Sequence, residues 1–108
     1  MECIFCNIVE KKVKADMVLE REKFIAFRDI HPKAPVHLLA VPRKHIDSVD
    51  HLQGEDAGLM GELLLFAKEV AREQNLEGYK LQINVGRKGG QVIDHIHLHI
   101  LGGNAEEI

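Results

Sequence analysis

The sequence is short of most features that mark a specialised chain. Its 108 residues include no tryptophan, one tyrosine, three prolines and two cysteines. No apolar run approaches the roughly 20 residues that a bilayer-crossing helix needs. Met1-Glu2-Cys3 opens no basic-then-apolar leader, so the expectation is a cytoplasmic protein with no membrane partner. Lysines and arginines are scattered, and the net charge is -3, which argues against a nucleic-acid partner but leaves room for a local pocket that takes a small anion. No repeat, linker or biased tract divides the chain, so residues 1–108 read as a single domain. A domain of this size buries about two-thirds of its unfolded surface, and a dimer interface would help it. The two cysteines, Cys3 and Cys6, form a Cys-x-x-Cys pair. In a reducing compartment that spacing points to metal or redox chemistry rather than a disulfide; two thiols on a helix face is the plainer alternative.

What the chain does have is His95-Ile96-His97-Leu98-His99-Ile100-Leu101, closed by Gly102 and Gly103. Strict alternation predicts a half-buried strand. It would place His95, His97 and His99 on one face at about 6.6 Å intervals, with Ile96, Leu98 and Ile100 on the other. A helix would instead pair His95 with His99 and throw His97 to the far side. Imidazole serves as nucleophile, acid, base or metal ligand near neutral pH, so a row of three concentrates those chemistries. The bland alternative is a solvated strand face.

The rest of the pattern supplies a frame. Ile4, Phe5, Ile8 and Val9 predict a short helix within residues 3–11. Strands are expected from Val18 to about Arg21, over residues 24–30, over residues 36–41 and over residues 79–85. The prolines at 32 and 35 break regular structure and Pro42 ends the third strand. In that strand His37 shares a face with Leu39 and Val41, where an ionisable ring needs a dedicated role or partner. Residues 55–74 carry Leu59, Met60, Leu63, Leu64, Ala67, Val70 and Ala71 at helical spacing, broadened by Leu65 and Phe66. A helix so apolar is covered on two sides or shared with a second subunit. The fold class is therefore α+β: a five-stranded antiparallel sheet with a short N-terminal helix and one long helix packed on it. His31 and His51 read as exposed loop residues.

Gly86-Arg87-Lys88-Gly89-Gly90-Gln91 leads into the histidine run. Such a loop is usually a turn, but beside histidines its backbone N–H groups could cradle a phosphate. A neutral imidazole facing that phosphate can attack it and form a labile phosphoramidate. His97, flanked by two further rings, is the natural nucleophile, with His99 the other choice. Asp29, at the end of an apolar strand, suits the two hydroxyls of a ribose and equally suits a turn before Pro32.

His-Ile-His-Leu-His-Ile-Leu resembles the signature of the histidine triad family. So do Cys-Ile-Phe-Cys-Asn-Ile-Val at 3–9, Ala-Phe-Arg-Asp-Ile-His-Pro-Lys-Ala-Pro-Val-His at 26–37, Pro-Arg-Lys-His-Ile at 42–46, Asn84, and Gly-Gly-Gln at 89–91. These segments follow the family's order over nearly the whole chain and are most similar to its Hint branch of nucleotide-binding hydrolases. The resemblance implies a homodimer whose sheets join across a two-fold axis and a purine nucleotide substrate of the AMP or GMP type. It makes His97 the nucleophile, with His99 and His37 contacting phosphate and leaving group. Asn84 and the Gly90-Gln91 backbone become further phosphate contacts, Asp29 the ribose ligand, and Phe5, Ile8, Phe27 and Ile30 the slot for the base. Val92, also in the nucleotide site, stands where many Hint enzymes carry a serine that helps protonate the leaving group, so that proton must come from elsewhere. The resemblance also completes a structural zinc site, with His45 and His95 joining Cys3 and Cys6; the chemistry itself needs no cofactor. The implied activity is hydrolysis of purine nucleoside phosphoramidates or nucleotidyl esters through a nucleotidyl-histidine. The rival readings are a dinucleoside polyphosphate hydrolase, a noncatalytic nucleotide-binding regulatory module, and a zinc-handling protein.

Overall fold

The computed structural model describes residues 3–103. Its elements are α1 (Ile4–Val9), β1 (Met17–Glu20), β2 (Phe24–Arg28), β3 (Val36–Pro42), α2 (Ala57–Glu73), β4 (Tyr79–Gln82) and β5 (Leu98–Gly102), with short 3-10 turns at Val49–His51, Gly54–Asp56 and Arg87–Gly89. The strands form one sheet in the order β1-β2-β3-β5-β4, and every neighbouring pair is antiparallel. The expected five-stranded sheet with a short and a long helix is thus the architecture found.

Period-2 alternation sorts side chains to two faces, and both faces are covered. On one, Phe24, Ala26, Leu38, Ala40, Leu98 and Ile100 pack with Leu63, Phe66, Ala67 and Val70 of α2, where Phe24 stacks on Phe66 at 5.3 Å between ring centroids. On the other, Ile25, Phe27, Leu39 and Val41 pack against Phe5 and Ile8 of α1. Burial on both sides explains why β3 reads as a nearly continuous apolar run. The 3-10 turn that leads into the long helix carries a reciprocal cap in which Gln53 and Asp56 bond each other's backbone. It stops where Asn75 adopts φ 56° and Leu76 N–H returns to Ala71 O. The turned-back Leu76 lies against Gly102, where a Cβ would sit 2.7 Å from Leu76 Cδ2; any larger residue would have to push the Leu76 side chain aside.

Several boundaries differ from expectation. The second strand ends at Arg28 rather than Ile30, and Ile30 is 85% exposed. The fourth ends at Gln82 rather than Val85. Most consequentially, the ladder of the histidine strand begins at Leu98, not His95. Its partner β3 ends at Pro42, which has no N–H to give and whose carbonyl accepts from the His95 ring, while Ile96 N–H donates to Ile46 O at 2.8 Å. His95 to His97 are held by loop carbonyls while keeping the strand's alternation. On α2, Phe66 belongs to the core whereas Leu64 and Leu65 are 53% and 63% exposed, so the apolar stripe is narrower than its composition suggests. Among the described residues no helix is long and apolar enough to cross a membrane.

Candidate active site

Strand register decides which side chains meet. Across the sheet Gln82 pairs with His99 and His99 with Leu39; one row along, Lys80 pairs with Leu101 and Leu101 with His37. Paired residues share a face, so the α1 side of the sheet carries His37, His97 and His99 beside Phe27 and Leu39. Between that face and α1 lies a cavity of about 690 Å³, within the range of small-molecule sites. Its lining includes Phe5, Ile8, Phe27, Asp29, Ile30, Asn84, Gly90 and Val92 together with His37, His97 and His99.

Gln91 is the expected nucleotide contact that does not line the cavity. It is 2% exposed: its side-chain amide donates to Asp47 O and Ile93 O and its Oε1 accepts from Gly86 N–H. The glycine loop is correspondingly self-satisfied, since the N–H groups of Gly89, Gly90 and Gln91 all donate to loop carbonyls. Arg87 is tied to Asp94 and Gln91 O. This part of the loop is therefore closed on itself rather than open as an anion cradle. Gly90 has φ 88° and a Cβ there would lie 3.2 Å from Asn84 Nδ2; that amide donates to Gly89 O and pins the loop to the cavity wall.

The hydrogen bonds fix where each imidazole keeps its proton. Lys33 N–H donates to His37 Nδ1 at 3.0 Å, so the His37 proton is on Nε2, which donates to His99 Nδ1 at 2.9 Å. Asp29 Oδ2 is a more distant neighbour of the same proton at 3.4 Å, and Asp29 Oδ1 accepts His31 N–H at 2.8 Å. Asp29 thus closes a turn, one of the two readings its sequence context left open, and also faces the histidines from the cavity wall. His97 Nδ1 lies 2.8 Å from His95 O, which can only accept, so Nδ1 holds the proton and Nε2 keeps its lone pair. Burial lowers the His97 pKa, against a smaller opposing pull from His95 O and Asp29. Burial first, then the neighbouring rings of His97 and His37, brings His99 down to about 4. Burial likewise lowers His37, with Asp29 opposing and Lys33 assisting. All three rings are neutral at pH 7.

His95 also lies against Phe5 of α1 but outside the cavity. It is fully buried, and its Nε2 donates to Pro42 O at 2.8 Å, so the Nδ1 lone pair lies 3.4 Å from Cys3 Sγ, 3.6 Å from Cys6 Sγ and 3.1 Å from His45 Nδ1. His45 Nε2 donates to Asp47 Oδ1 at 2.6 Å, turning its own lone pair inward, 3.3 Å from Cys6 Sγ. With zinc–nitrogen and zinc–sulfur bonds of about 2.0 and 2.3 Å, a tetrahedron has N–N and N–S edges of about 3.3 and 3.5 Å. The observed separations are close to those edges, and the donor set, two thiols and two oriented imidazoles, suits that ion. The Cys6 thiol is pushed up to about 11 by burial and by Cys3 beside it, so a metal entering here must displace protons. Asp29, His37 and His99 also lie close enough to hold an ion. There, however, a proton already bridges the rings, and His37 has its other nitrogen engaged by Lys33.

Sequence patterning missed the residues that orient the rings: Asp47 for His45, Pro42 O for His95, His95 O for His97 and Lys33 N–H for His37. Backbone groups dominate that set, and no side-chain pattern signals them. It also passed over Lys80 and Gln82 in the cavity wall, although their spacing of two on a strand beside the histidines was a usable signal.

Three neutral imidazoles facing a largely apolar cavity, with two thiols and two further imidazoles clustered beside them, define the same class that comparison with known proteins returns. The chain belongs to the histidine triad family. A family model described as "Scavenger mRNA decapping enzyme C-term binding" matches residues 2–107. The chain is 43% identical over 101 residues to Protein HitA of Neisseria gonorrhoeae, covering 93% of this chain and 94% of the relative. Among solved structures it is similar to a HIT family hydrolase from Legionella pneumophila, with TM-score 0.92, 43% identity and coverage of 95% and 94%. A histidine triad protein from Clostridium difficile gives TM-score 0.92, 34% identity and coverage of 96% and 92%.

Proposed function

We propose that this protein is a purine nucleotide phosphoramidase or nucleotidyl hydrolase, of the Hint type, that works through a covalent intermediate on His97. The observation that carries the reading is the protonation pattern: the His97 proton is held by His95 O, burial keeps the ring neutral, and the Nε2 lone pair belongs to a ring that lines the cavity. The similar Legionella protein being a hydrolase supports the same class.

In the first step Nε2 of His97 bonds to the α-phosphorus, and the bond to the leaving group breaks with its electron pair departing on the leaving group. The positive charge that develops on the ring is stabilised through Nδ1–H by the His95 carbonyl. In the second step a water oxygen bonds to phosphorus, the N–P bond breaks, and the pair returns to Nε2. One water is thereby divided between nucleotide and leaving group. His37, protonated on Nε2, fixes the His99 tautomer so that His99 presents its own Nε2–H to phosphate oxygens. Phe5, Ile8, Phe27 and Ile30 supply the apolar slot for a purine, and Asp29 an acceptor for ribose hydroxyls.

Cys3, Cys6, His45 and His95 hold a structural zinc in this reading. With four protein ligands the ion would be closed to substrate and would act by fastening α1 to the segments around Pro42 and His95. The partner is a second copy of the chain: Leu64 and Leu65 leave an apolar strip exposed on α2, and β4 is an edge strand that is largely exposed. The test is mass spectrometry of the protein quenched during turnover of a purine nucleoside phosphoramidate. The expected result is one added nucleotidyl mass on His97, absent from His97→Ala; product formation without that adduct would overturn the covalent route.

A further inference from the structure

The cavity continues past the histidines, and its far wall is cationic. Four lysine or arginine side chains line it, Lys14, Arg28, Lys33 and Lys80, against one carboxylate, Asp29. Arg28 is already paired with Asp16 at 3.2 Å, and Lys14 follows α1 beside Val13 and Ala15 in the apolar wall. Lys33 and Lys80 differ from both. Unlike Arg28, and like Lys14, neither makes an ion pair among the described residues; what sets them apart from Lys14 is their place. Both belong to the His37 end of the site: Lys33 N–H sits on the His37 ring, and Lys80 shares the sheet row of Leu101 and His37. That row is one step, about 7 Å, beyond the row of His99, on the side away from His97. A group leaving in line from phosphorus attacked by His97 departs past His99 and His37 toward the end of the cavity that Lys33 and Lys80 line.

The lining has a second property. Among the described residues it contains no hydroxyl or thiol side chain, and Val92, 79% exposed, offers only methyl groups. A leaving group that departs as a stable anion needs no proton donor; an amine needs one, and without a hydroxyl or thiol it has only the rings, the lysines and water to draw on.

We propose that Lys33 and Lys80 form a leaving-group subsite that favours nucleotidyl substrates whose leaving group carries negative charge of its own, in a further phosphate or a carboxylate. This rests on the nucleotidyl-transfer reading above and adds the class of substrate. The bond made is still Nε2–P and the bond broken still the one to the leaving group. The lysines stabilise charge that is on the departing group before and after the break, and they draw such substrates in.

The experiment compares kcat/KM for three substrates with one nucleoside monophosphate moiety: an amidate of a neutral alkylamine, an amidate of a carboxylate-bearing amine, and a phosphoanhydride with one further phosphate. It uses the wild type, Lys33→Ala, Lys80→Ala and the double variant. Alanine at these exposed positions keeps the Lys33 backbone bond to His37 and the β4 ladder. A preference for the charged substrates that falls about tenfold or more in the double variant, and weakens with added salt, is the expected result. The two charged substrates separate a phosphate-specific from a general anionic subsite. Equal loss on all three substrates, or no charge preference in the wild type, overturns the proposal. Equilibrium binding of a purine nucleoside monophosphate and of its methylene-bridged diphosphate, measured on the same proteins, keeps the two readings apart. Absent turnover with a lysine-dependent preference for the diphosphate overturns the hydrolase reading and supports the subsite. Turnover without that preference overturns the subsite alone.

Discussion

At His45 and His95 two imidazoles turn lone pairs toward each other, 3.1 Å apart, while at His37 and His99, at 2.9 Å, a proton lies between. Residue type and spacing are nearly the same, and what differs is the acceptor or donor behind each ring. Pro42 O and Asp47 take the outer protons of His95 and His45 and leave their inner nitrogens bare, which suits a cation. Lys33 N–H occupies the outer nitrogen of His37 and sends its proton inward, which suits an anion next to a neutral ring. His97 stands between, two residues from the proposed metal ligand His95 and two from the proposed phosphate contact His99, with its own proton donated to a backbone carbonyl. Chemistry is thus allotted to each ring by a neighbour one shell away.

The largest expected effect comes from cutting one side of this contrast. His97→Ala should lower turnover by about 10⁴-fold or more, the scale seen when a nucleophile is removed, while metal content measured by atomic emission stays at the wild-type value. A variant that also loses its metal would show that the two clusters are not separate.

Next in size is the other side. Cys6→Ser or strong chelation should release the metal and leave α1, only six residues long, too short to persist on its own. Since Phe5 on α1 lies edge-on to His97 at 5.1 Å and to Phe27 at 5.6 Å between centroids, the slot should loosen as well. Calorimetry should show a stability loss of a few kcal/mol, since a structural site's gross binding energy is about 10 kcal/mol and part of it is offset. Hydrogen exchange should quicken at Cys6 to Glu10. Unchanged melting after verified metal loss would contradict the stapling role.

Asp47→Ala tests the orienting shell directly. It should weaken metal affinity about 10- to 100-fold, read by competition with a chromophoric chelator, without removing a ligand.

The smallest effect is a pH dependence. His37 and His99 have folded pKa values below the ordinary histidine value of about 6.5, with His99 at about 4. The unfolded chain therefore binds protons first as pH falls. Their contribution to stability is complete above about pH 6.5 and is lost as pH drops toward 4, so chemical denaturation midpoints should decline across that window. His99→Gln should flatten the decline, because glutamine does not titrate; an unaltered slope would assign the acid sensitivity elsewhere.

Much of this was open to inspection in the linear chain. Alternating Ile96, Leu98 and Ile100 required one face of the histidine segment to enter the core, and they did so even where the ladder fails. The prolines at 35 and 42 bracketed β3, and the α2 pattern located the covering helix, although Leu64 and Leu65 showed that apolar composition overstates burial. The glycine loop misled because its open-looking backbone closes on itself through Gln91, an interaction across the loop that no local pattern encodes.

By itself, then, the sequence determined which side chains share a face, because strand and helix periods are local properties of the backbone. It thereby determined that His97 and His99 would share a face and that Cys3 and Cys6 would stand together, whereas the pairing of β3 with β5 brought His37 to them. Only the tertiary structure decided which nitrogen of each ring carries its proton. That depends on carbonyls and amides brought in from distant segments, such as Pro42 against His95, and backbone groups are identical in every residue that could have supplied them.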